Sequence, residues 1–557
     1  MDFTKSKLYL EFSKLSMNSQ KSVQCGRSLS LLDQYLHVER PVEKLLRDKM
    51  NEIEHNGSGI ILLIGSAGDG KSHLLSRVRQ DYQWDESSFY NDATASCSPS
   101  KTAVQTLKEV LIDFSDDFID QTNRKLILAI NLGKLNAFIE DEESRQKYSK
   151  IIKATSGIFD NDDSISEQEN DKIKIVYFAN EQIFELITEK QEQYPVQSTF
   201  LSSILDKIIS PKANNPFYTA YQQDKQSEDF CNSPLIINYE LLRMPNIRET
   251  IVKTIIEAIF RFKLIITPRE FFDFIYSIII CKDLDNYNEK VDQFKVLLPT
   301  LIYNGNNNII LSAISKLDPI IYSNSDHDKM LSVLFTSYDI PQDLYKEFLN
   351  LHIPEAVIEI INNHYHNNGR ELEATTKFVF SLYHLLLYHS ESNVYKDFIE
   401  LLPKVLLNDK EKLLHLYEIT GRAIPRHFGS FYEKNNIVPL NIQGSKYKLF
   451  TYLNLKPKLV ESQFNINHPS NFPLYVTLHW QIDNEIISLK VDYQLYSYLF
   501  DLDSGRLVTS FDNEKNLAFN TFVNNLAEYS NHEEMTIVKF NGTERKLQLI
   551  LGDVRLS

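Results

Sequence analysis

Residues 59–78, GIILLIGSAGDGKSHLLSRV, pass from an apolar run through a glycine-rich turn into a helical pattern. Ile60, Ile61, Leu62, Leu63 and Ile64 have the length and branching of a buried strand. Gly65-Ser66-Ala67-Gly68-Asp69-Gly70-Lys71-Ser72 then matches the phosphate-loop pattern G-x-x-x-x-G-K-[ST] at every fixed position. Leu74, Leu75 and Val78 recur at helical spacing. Backbone N–H groups converge on a phosphate only where no Cβ intrudes, which favours glycine at 65, 68 and 70. The following helix points its positive end at the same place. Lys71 is expected to reach the β- and γ-phosphates, and the Ser72 hydroxyl to ligate Mg²⁺. Gly65, Ser66, Ala67, Gly68, Asp69, Gly70, Lys71, Ser72 and His73 are the expected binding residues for a nucleoside triphosphate.

Upstream, PVEKLLRDKMNEI puts Pro41 at a first helical position, with Val42, Leu45, Leu46 and Ile53 on one face. Asn56-Gly57-Ser58-Gly59 ends that helix and leads into the strand. Downstream, Phe89-Tyr90 is a candidate strand ending in Asn91-Asp92, and Lys125–Ile130 is a second one ending in Asn131. Lys174–Ala179 is a third, ending at Asn180-Glu181. Between the last two, DNDDSISEQENDK (160–172) reads as a solvated acidic loop. Strands alternating with helices predict a mainly parallel sheet covered on both faces, with ligands at the carboxyl ends of the strands. From 235 to 430 the chain reads as helix after helix, as in RETIVKTIIEAIF and KFVFSLYHLLLY. The last stretch alternates instead: Leu474, Val476, Leu478, Trp480 and Ile482 answer Ile487, Leu489 and Val491, and a second hairpin is signalled around Asn541-Gly542. One helix is expected between the two hairpins.

The length of 557 residues allows several domains with proper cores. With 59 Lys+Arg against 75 Asp+Glu the net charge is −16, which argues against a broad nucleic-acid-coating surface. Proteins, or DNA presented by another subunit, are the expected partners. The four cysteines form no C-x-x-C pair, so neither a disulfide framework nor a zinc site is indicated. No apolar signal core opens the chain and no run is long enough to span a bilayer, so a cytoplasmic protein without membrane attachment is expected.

An NTPase also needs a carboxylate behind Mg²⁺ and a group to orient water. Asp92 is the leading carboxylate candidate, for metal and for catalysis, with a turn or cap as its other reading. Asp113 is a weaker one, in a helical context. Asn131 fits a γ-phosphate-sensing amide better than a metal ligand. Glu181 is placed to polarise water or to end a strand. In ITPREFFDFIY, Thr267 and Glu270 form a capping box with Pro268 at the first turn. Arg269 is thereby exposed at a helix start, either as a lid sensor over the nucleotide or as a solvated arginine. Arg422 and Arg426 are candidates for arginine fingers acting in trans.

Several stretches together resemble one family, the DptF (DndF) component of DNA phosphorothioation-dependent restriction systems. They are YLHVERPVEKLL (35–46), GSAGDGKSHLLS (65–76), YNDATASCSPSKTAVQTL (90–107), LAINLGKLNAF (128–138), SPLIINYELL (233–242) and TPREFFDFIY (267–276). The resemblance runs from about residue 10 to 280 and more loosely through GRAIPRHFGS to the end. It implies an ATPase or ATP-switch subunit, with ATP and Mg²⁺ as cofactors. It would work with DptG- and DptH-like partners against DNA lacking the sulfur mark, reaching DNA through the complex. Lys71 and Ser72 carry over as nucleotide and Mg²⁺ contacts, while Asn91-Asp92 and Asn131 mark the family's other strand ends.

The expected fold is an α/β P-loop NTPase core, mainly parallel and AAA+-like, followed by an all-α region and a C-terminal β-rich domain. The expected segments are an N-terminal helical part (1–55), the core (56–215), a helical lid-like region (216–345), a further helical region (346–434) and the β-rich domain (435–557). The main functional expectation is an ATP-hydrolysing defence subunit. A nucleotide-gated scaffold with little hydrolysis is the alternative, and no acid–lysine cluster suggests a nuclease in this chain.

Overall fold

The computed structural model describes residues 2–16, 29–91, 102–159, 170–188, 194–281, 293–305, 308–321, 325–337, 339–366, 372–387, 392–428, 437–440, 447–461, 468–529, 534–539, 544–550 and 553–556. Two compact units are formed. One comprises Met1–Glu185, Ser198–Ala258 and Leu264–His389; the other comprises Leu186–Gln197, Ile259–Lys263 and Ser390–Ser557.

The first unit is built on the apolar run. β1 (Gly59–Gly65) is buried at all seven positions. With β2 (Phe89–Asn91), β3 (Lys125–Asn131) and β4 (Ile173–Tyr177) it forms a wholly parallel sheet in the order β2-β3-β1-β4. Such a run stays out of water only if both faces are covered, and the helices do this. Before β1 come α1 (Lys7–Ser13), α2 (Leu31–Leu36) and α3 (Pro41–Asn56); after it come α4 (Lys71–Asp81), α5 (Ala103–Val110) and α6 (Leu132–Glu140). Ile60, Leu62 and Ile64 pack with Leu107 of α5 and with Leu135 and Phe138 of α6. Ile61 and Leu63 face the other way, against Val42, Leu46, Met50 and Ile53 of α3 and Leu74, Leu75 and Val78 of α4. Each such aliphatic side chain stabilises the fold by about 1.5–3 kcal/mol relative to exposure.

The register decides where the chain turns. Gly65 lies opposite Asn131, and Ile64 opposite Tyr177, so three strands end at one level. The third expected strand is shorter at its far end, because Phe178–Asn180 turns into a 3₁₀ helix there. The acidic stretch 160–169 lies outside the described residues. The helices Pro234–Leu242 and Pro268–Ile279 belong to the same unit, where the buried Asn238 braces three segments. Its amide nitrogen donates to the carbonyls of Ile279 and Val296, and its oxygen accepts from Leu298 N–H at 2.7 Å.

The second unit holds the antiparallel strands. Tyr475–Ile482 and Glu485–Asp492 form the expected hairpin, with Asp483 in the left-handed region at its turn. Glu534–Lys539 and Glu544–Ile550 pair as the second hairpin expected, while Asn541-Gly542 lie outside the described residues. Between the hairpins stand three helices where one was expected: Tyr493–Asp503, Ser510–Lys515 and Leu517–Glu528. Among the described residues no helix is long and apolar enough to cross a membrane.

His427 lies fully buried in this second unit. One ring nitrogen meets the Tyr498 hydroxyl and the other meets the Asn520 amide oxygen. The neutral ring satisfies both, donating to Asn520 and accepting from Tyr498. Burial pushes its pKa below the ordinary 6.5. The unfolded chain therefore binds this proton first, and stability falls as pH drops below about 6.5. Thermal melts from neutral to mildly acidic pH should show this decline, with a flatter profile for His427→Gln. Parallel profiles in the two proteins would refute the assignment.

Candidate functional site

Where β1 ends, Gly68 and Gly70 take φ values of 92° and 95°, a region that side chains other than glycine's rarely adopt. Gly70 is also the N-cap of α4, and among the described residues no side chain caps that helix. Its first-turn N–H groups and positive end thus face the turn with no intrahelical acceptor. Lys71 is 5% exposed, and its ammonium donates to the Ser66 carbonyl. Burial lowers the pKa of Lys71, and the nearby Asp69 opposes that shift.

Asp69 braces the same turn from within. Its carboxylate accepts the Ser66 N–H and lies where a Cβ on Gly65 would stand. Burial raises its pKa, Lys71 and Arg40 draw it down, and Glu270 raises it further. Arg40, just ahead of α3, donates to the Asp69 carbonyl at 3.0 Å. Its guanidinium lies 5.4 Å from the ring centroids of both Phe178 and Phe200, and 3.6 Å from Glu181. Nothing in the sequence pattern singled out Arg40, because its partners come from three separate segments.

The structure disposes of the other candidates individually. Asn91, at the end of β2, donates its amide N–H to Ser72 Oγ at 2.9 Å. Asp92 lies outside the described residues. Asn131 caps α6, its oxygen accepting Lys134 N–H at 2.8 Å, so its amide nitrogen is what it can offer a phosphate. Asp113 pairs with Arg124 at 3.0 Å on a 3₁₀ turn. Glu181 accepts the Val42 N–H at 2.8 Å and so caps α3; burial raises its pKa and Arg40 lowers it. The capping box of Thr267 and Glu270 is present, and Thr267 lies against Gly68: a Cβ there would be 3.0 Å from Thr267 Oγ1. The helix start that carries Arg269 therefore abuts the glycine turn. In the second unit, Arg422 and Arg426 both bind Asp503, at 2.7 and 3.0 Å.

His73 opens a polar chain that the sequence did not signal. Its Nε2 meets Nδ1 of His37 at 3.0 Å, and His37 Nε2 meets Glu43 at 3.1 Å. Arg47 then joins Glu43 to Asp81, each at 2.7 Å. Burial lowers the His73 pKa. This chain ties α4 to α3 immediately beside Ser72.

Taken together, the turn suits a phosphate chain: two left-handed glycines, an uncapped helix start and a buried ammonium. Among the described residues no group of three or more His, Cys, Asp or Glu is placed to hold a metal ion. Neither family models, nor curated proteins, nor solved structures gave a match to this chain.

Burial would push the Glu43 carboxyl up, but hydrogen bonds from His37 and Arg47 hold it down to about 2. The ordinary value is 4.5, so this carboxylate stabilises the fold above that pH and ceases to as the pH falls toward 2. Acid unfolding of the first unit should accordingly be less steep across this window in Glu43→Gln, although that variant starts less stable. Hydrogen exchange of α3 amides against pH measures it, and an unchanged slope would count against the linkage.

Proposed function

We propose that this chain binds ATP at residues 65–73 and is the ATP-hydrolysing subunit of a prokaryotic restriction module. That module would act on DNA lacking phosphorothioate, with DptG- and DptH-like partners and with DNA reached through the complex. The nucleotide part is carried by one observation: an uncapped helix start, left-handed glycines and buried Lys71 converge at the carboxyl edge of a parallel sheet. They do so where the neighbours of β1 lie on opposite sides, the position at which open α/β sheets bind ligands. Together with β3 standing between β1 and β2, this supports reading the core as a P-loop NTPase of AAA+-like type. The restriction part is supported by the family resemblance of the strings from 35 to 276.

Bound ATP supplies the phosphate charge and the free energy of hydrolysis on which such a subunit runs. The chain's own residues do the positioning. Lys71 offers its ammonium to the phosphates, and the α4 N–H groups of Lys71, Ser72 and His73 offer neutral donors. Asn131 offers an amide at the adjoining strand end, opposite Gly65. Arg269 leads a helix whose cap touches Gly68, so a change in the glycine turn is felt there directly. Asp92 follows Asn91 and remains the proposed metal-side and catalytic acid. The second reading, a nucleotide-gated scaffold with little turnover, is favoured by the amide that Asn91 places on Ser72.

Lys71→Ala is expected to weaken ATP binding by roughly 10–100-fold, the scale of a lost charged hydrogen bond. Calorimetric titration of the purified chain checks this. In cells carrying the whole module, wild type should reject unmodified plasmid and accept phosphorothioated plasmid, whereas Lys71→Ala should accept both. Restriction that survives Lys71→Ala would remove nucleotide handling at this turn from the activity.

A further inference from the structure

A peptide unit is planar and trans, so its carbonyl and its N–H point to opposite sides. In the turn after β1, Gly68 and Gly70 have φ values of 92° and 95°, while Asp69 between them and Lys71 after them keep negative φ. This alternation curls the backbone into a nest, with N–H groups on its concave side and carbonyls on its convex side. The Asp69 carbonyl is held from the convex side by Arg40, which donates to it from Nη1 at 3.0 Å. The other end of that same peptide is the Gly70 N–H, and it faces the cradle. Glycine makes this turn possible and also loose, because it takes either sign of φ. A peptide between two such residues swings unless one end is held.

Arg40 is itself firmly placed. It is the residue ahead of α3, and its side chain is 13% exposed. Its guanidinium lies 5.4 Å from the ring centroids of Phe178, after β4, and of Phe200, in the helix Thr199–Ile209. The Glu181 carboxylate stands 3.6 Å away and is fixed in turn by the Val42 N–H. Lys71 rests on the Ser66 carbonyl and must leave it to meet a phosphate. Arg40 has no such move to make, since it grips the turn from outside. A cation on the carbonyl also polarises the peptide, and the N–H opposite becomes a stronger donor.

Resting on the nucleotide reading above, we propose that Arg40 is a positioning residue for the phosphate chain. It acts through the Asp69–Gly70 peptide, keeping the Gly70 N–H in the cradle and strengthening it toward a phosphate oxygen. Arg40 itself touches no phosphate.

Asp69-Gly70 is the only Asp-Gly pair in the 557 residues. In the full chain labelled with carbonyl-¹³C aspartate and ¹⁵N glycine, one NMR correlation therefore reports the Asp69 carbonyl and the Gly70 N–H together. ATP is added to wild type, Arg40→Gln, Arg40→Lys and Lys71→Ala, with affinities taken from calorimetry. In wild type the Gly70 amide proton should move downfield as ATP binds. Arg40→Gln should shift the Asp69 carbonyl before any ATP is added and lose most of the Gly70 response at saturating ATP. Its affinity for ATP should fall by roughly tenfold. A saturated Gly70 response equal to that of wild type overturns the proposal and leaves Arg40 a structural role only. Should Arg40→Gln not fold, Arg40→Lys makes the same comparison, because its ammonium keeps the charge and loses the planar fork. Its Gly70 response should be reduced in step with the shift of its Asp69 carbonyl, and a response independent of that shift overturns the proposal. A wild-type Gly70 signal that ignores ATP, although Lys71→Ala weakens ATP binding, overturns it as well. No ATP binding by wild type is a different result: it removes the nucleotide reading itself.

Discussion

The complete burial of β1, hydrogen-bonded to a parallel neighbour along each edge, is the constraint on which the first unit depends. A strand with no exposed face must be covered twice, and this forces α3 and α4 onto one side and α5 and α6 onto the other. The same pairing sets Gly65 level with Asn131, so that the turn after β1 and the cap of α6 share one edge of the sheet. With the strand ends aligned, the start of α4 has only one place to go. Its uncapped N-terminus is held at that edge by Leu74, Leu75 and Val78 beneath it.

Charge in this region is managed by pairing. Lys71, Asp69, Arg40, Glu181, Glu43 and Arg47 are all drawn partly or wholly out of water around one turn, and each has a defined partner. Desolvation pulls Lys71 toward neutrality and pushes Asp69 and Glu181 the same way, and their oppositely charged neighbours offset only part of that shift. Removing one member would leave another buried and uncompensated, at a cost of about 3–5 kcal/mol in comparable interiors. The outcome is a turn whose shape is settled before any ligand arrives, the condition under which backbone N–H groups bind anions best.

Arg40 and Thr267 extend that turn in two directions. Arg40 links it to the segment ahead of α3 and, through Phe178 and Phe200, to the residues after β4. Thr267 links it to the Pro268–Ile279 helix, which Asn238 in turn ties to the helices around it. A displacement at the glycine turn therefore has two rigid routes into the first unit. For a proposed nucleotide-driven subunit this is the feature that matters, since a bound phosphate acts on the rest of the chain only through such contacts.

The elements legible in the sequence were those encoded by neighbours. Five consecutive branched residues, a glycine pattern and a 3.6-residue repeat specify strand, turn and helix within twenty positions, and alternation at 474–491 specifies a hairpin for the same reason. The capping box at Thr267 was legible too, because its partners are three residues apart. Of the three helices between the C-terminal hairpins only one was expected: Phe519, Phe522, Val523 and Leu526 recur at helical spacing, but the breaks after Asp503 and at Asn516 that divide the stretch were not read. By itself the sequence determined that this chain has a parallel α/β core with a glycine turn and a lysine at the end of its first strand. Only the tertiary structure decided that Asn91 holds Ser72, that Arg40 holds Asp69, that Glu181 caps α3, and that Thr267 rests on Gly68. Those contacts join residues far apart along the chain, and a hydrogen bond is set by the position of its two ends in space, which only strand register and helix packing supply.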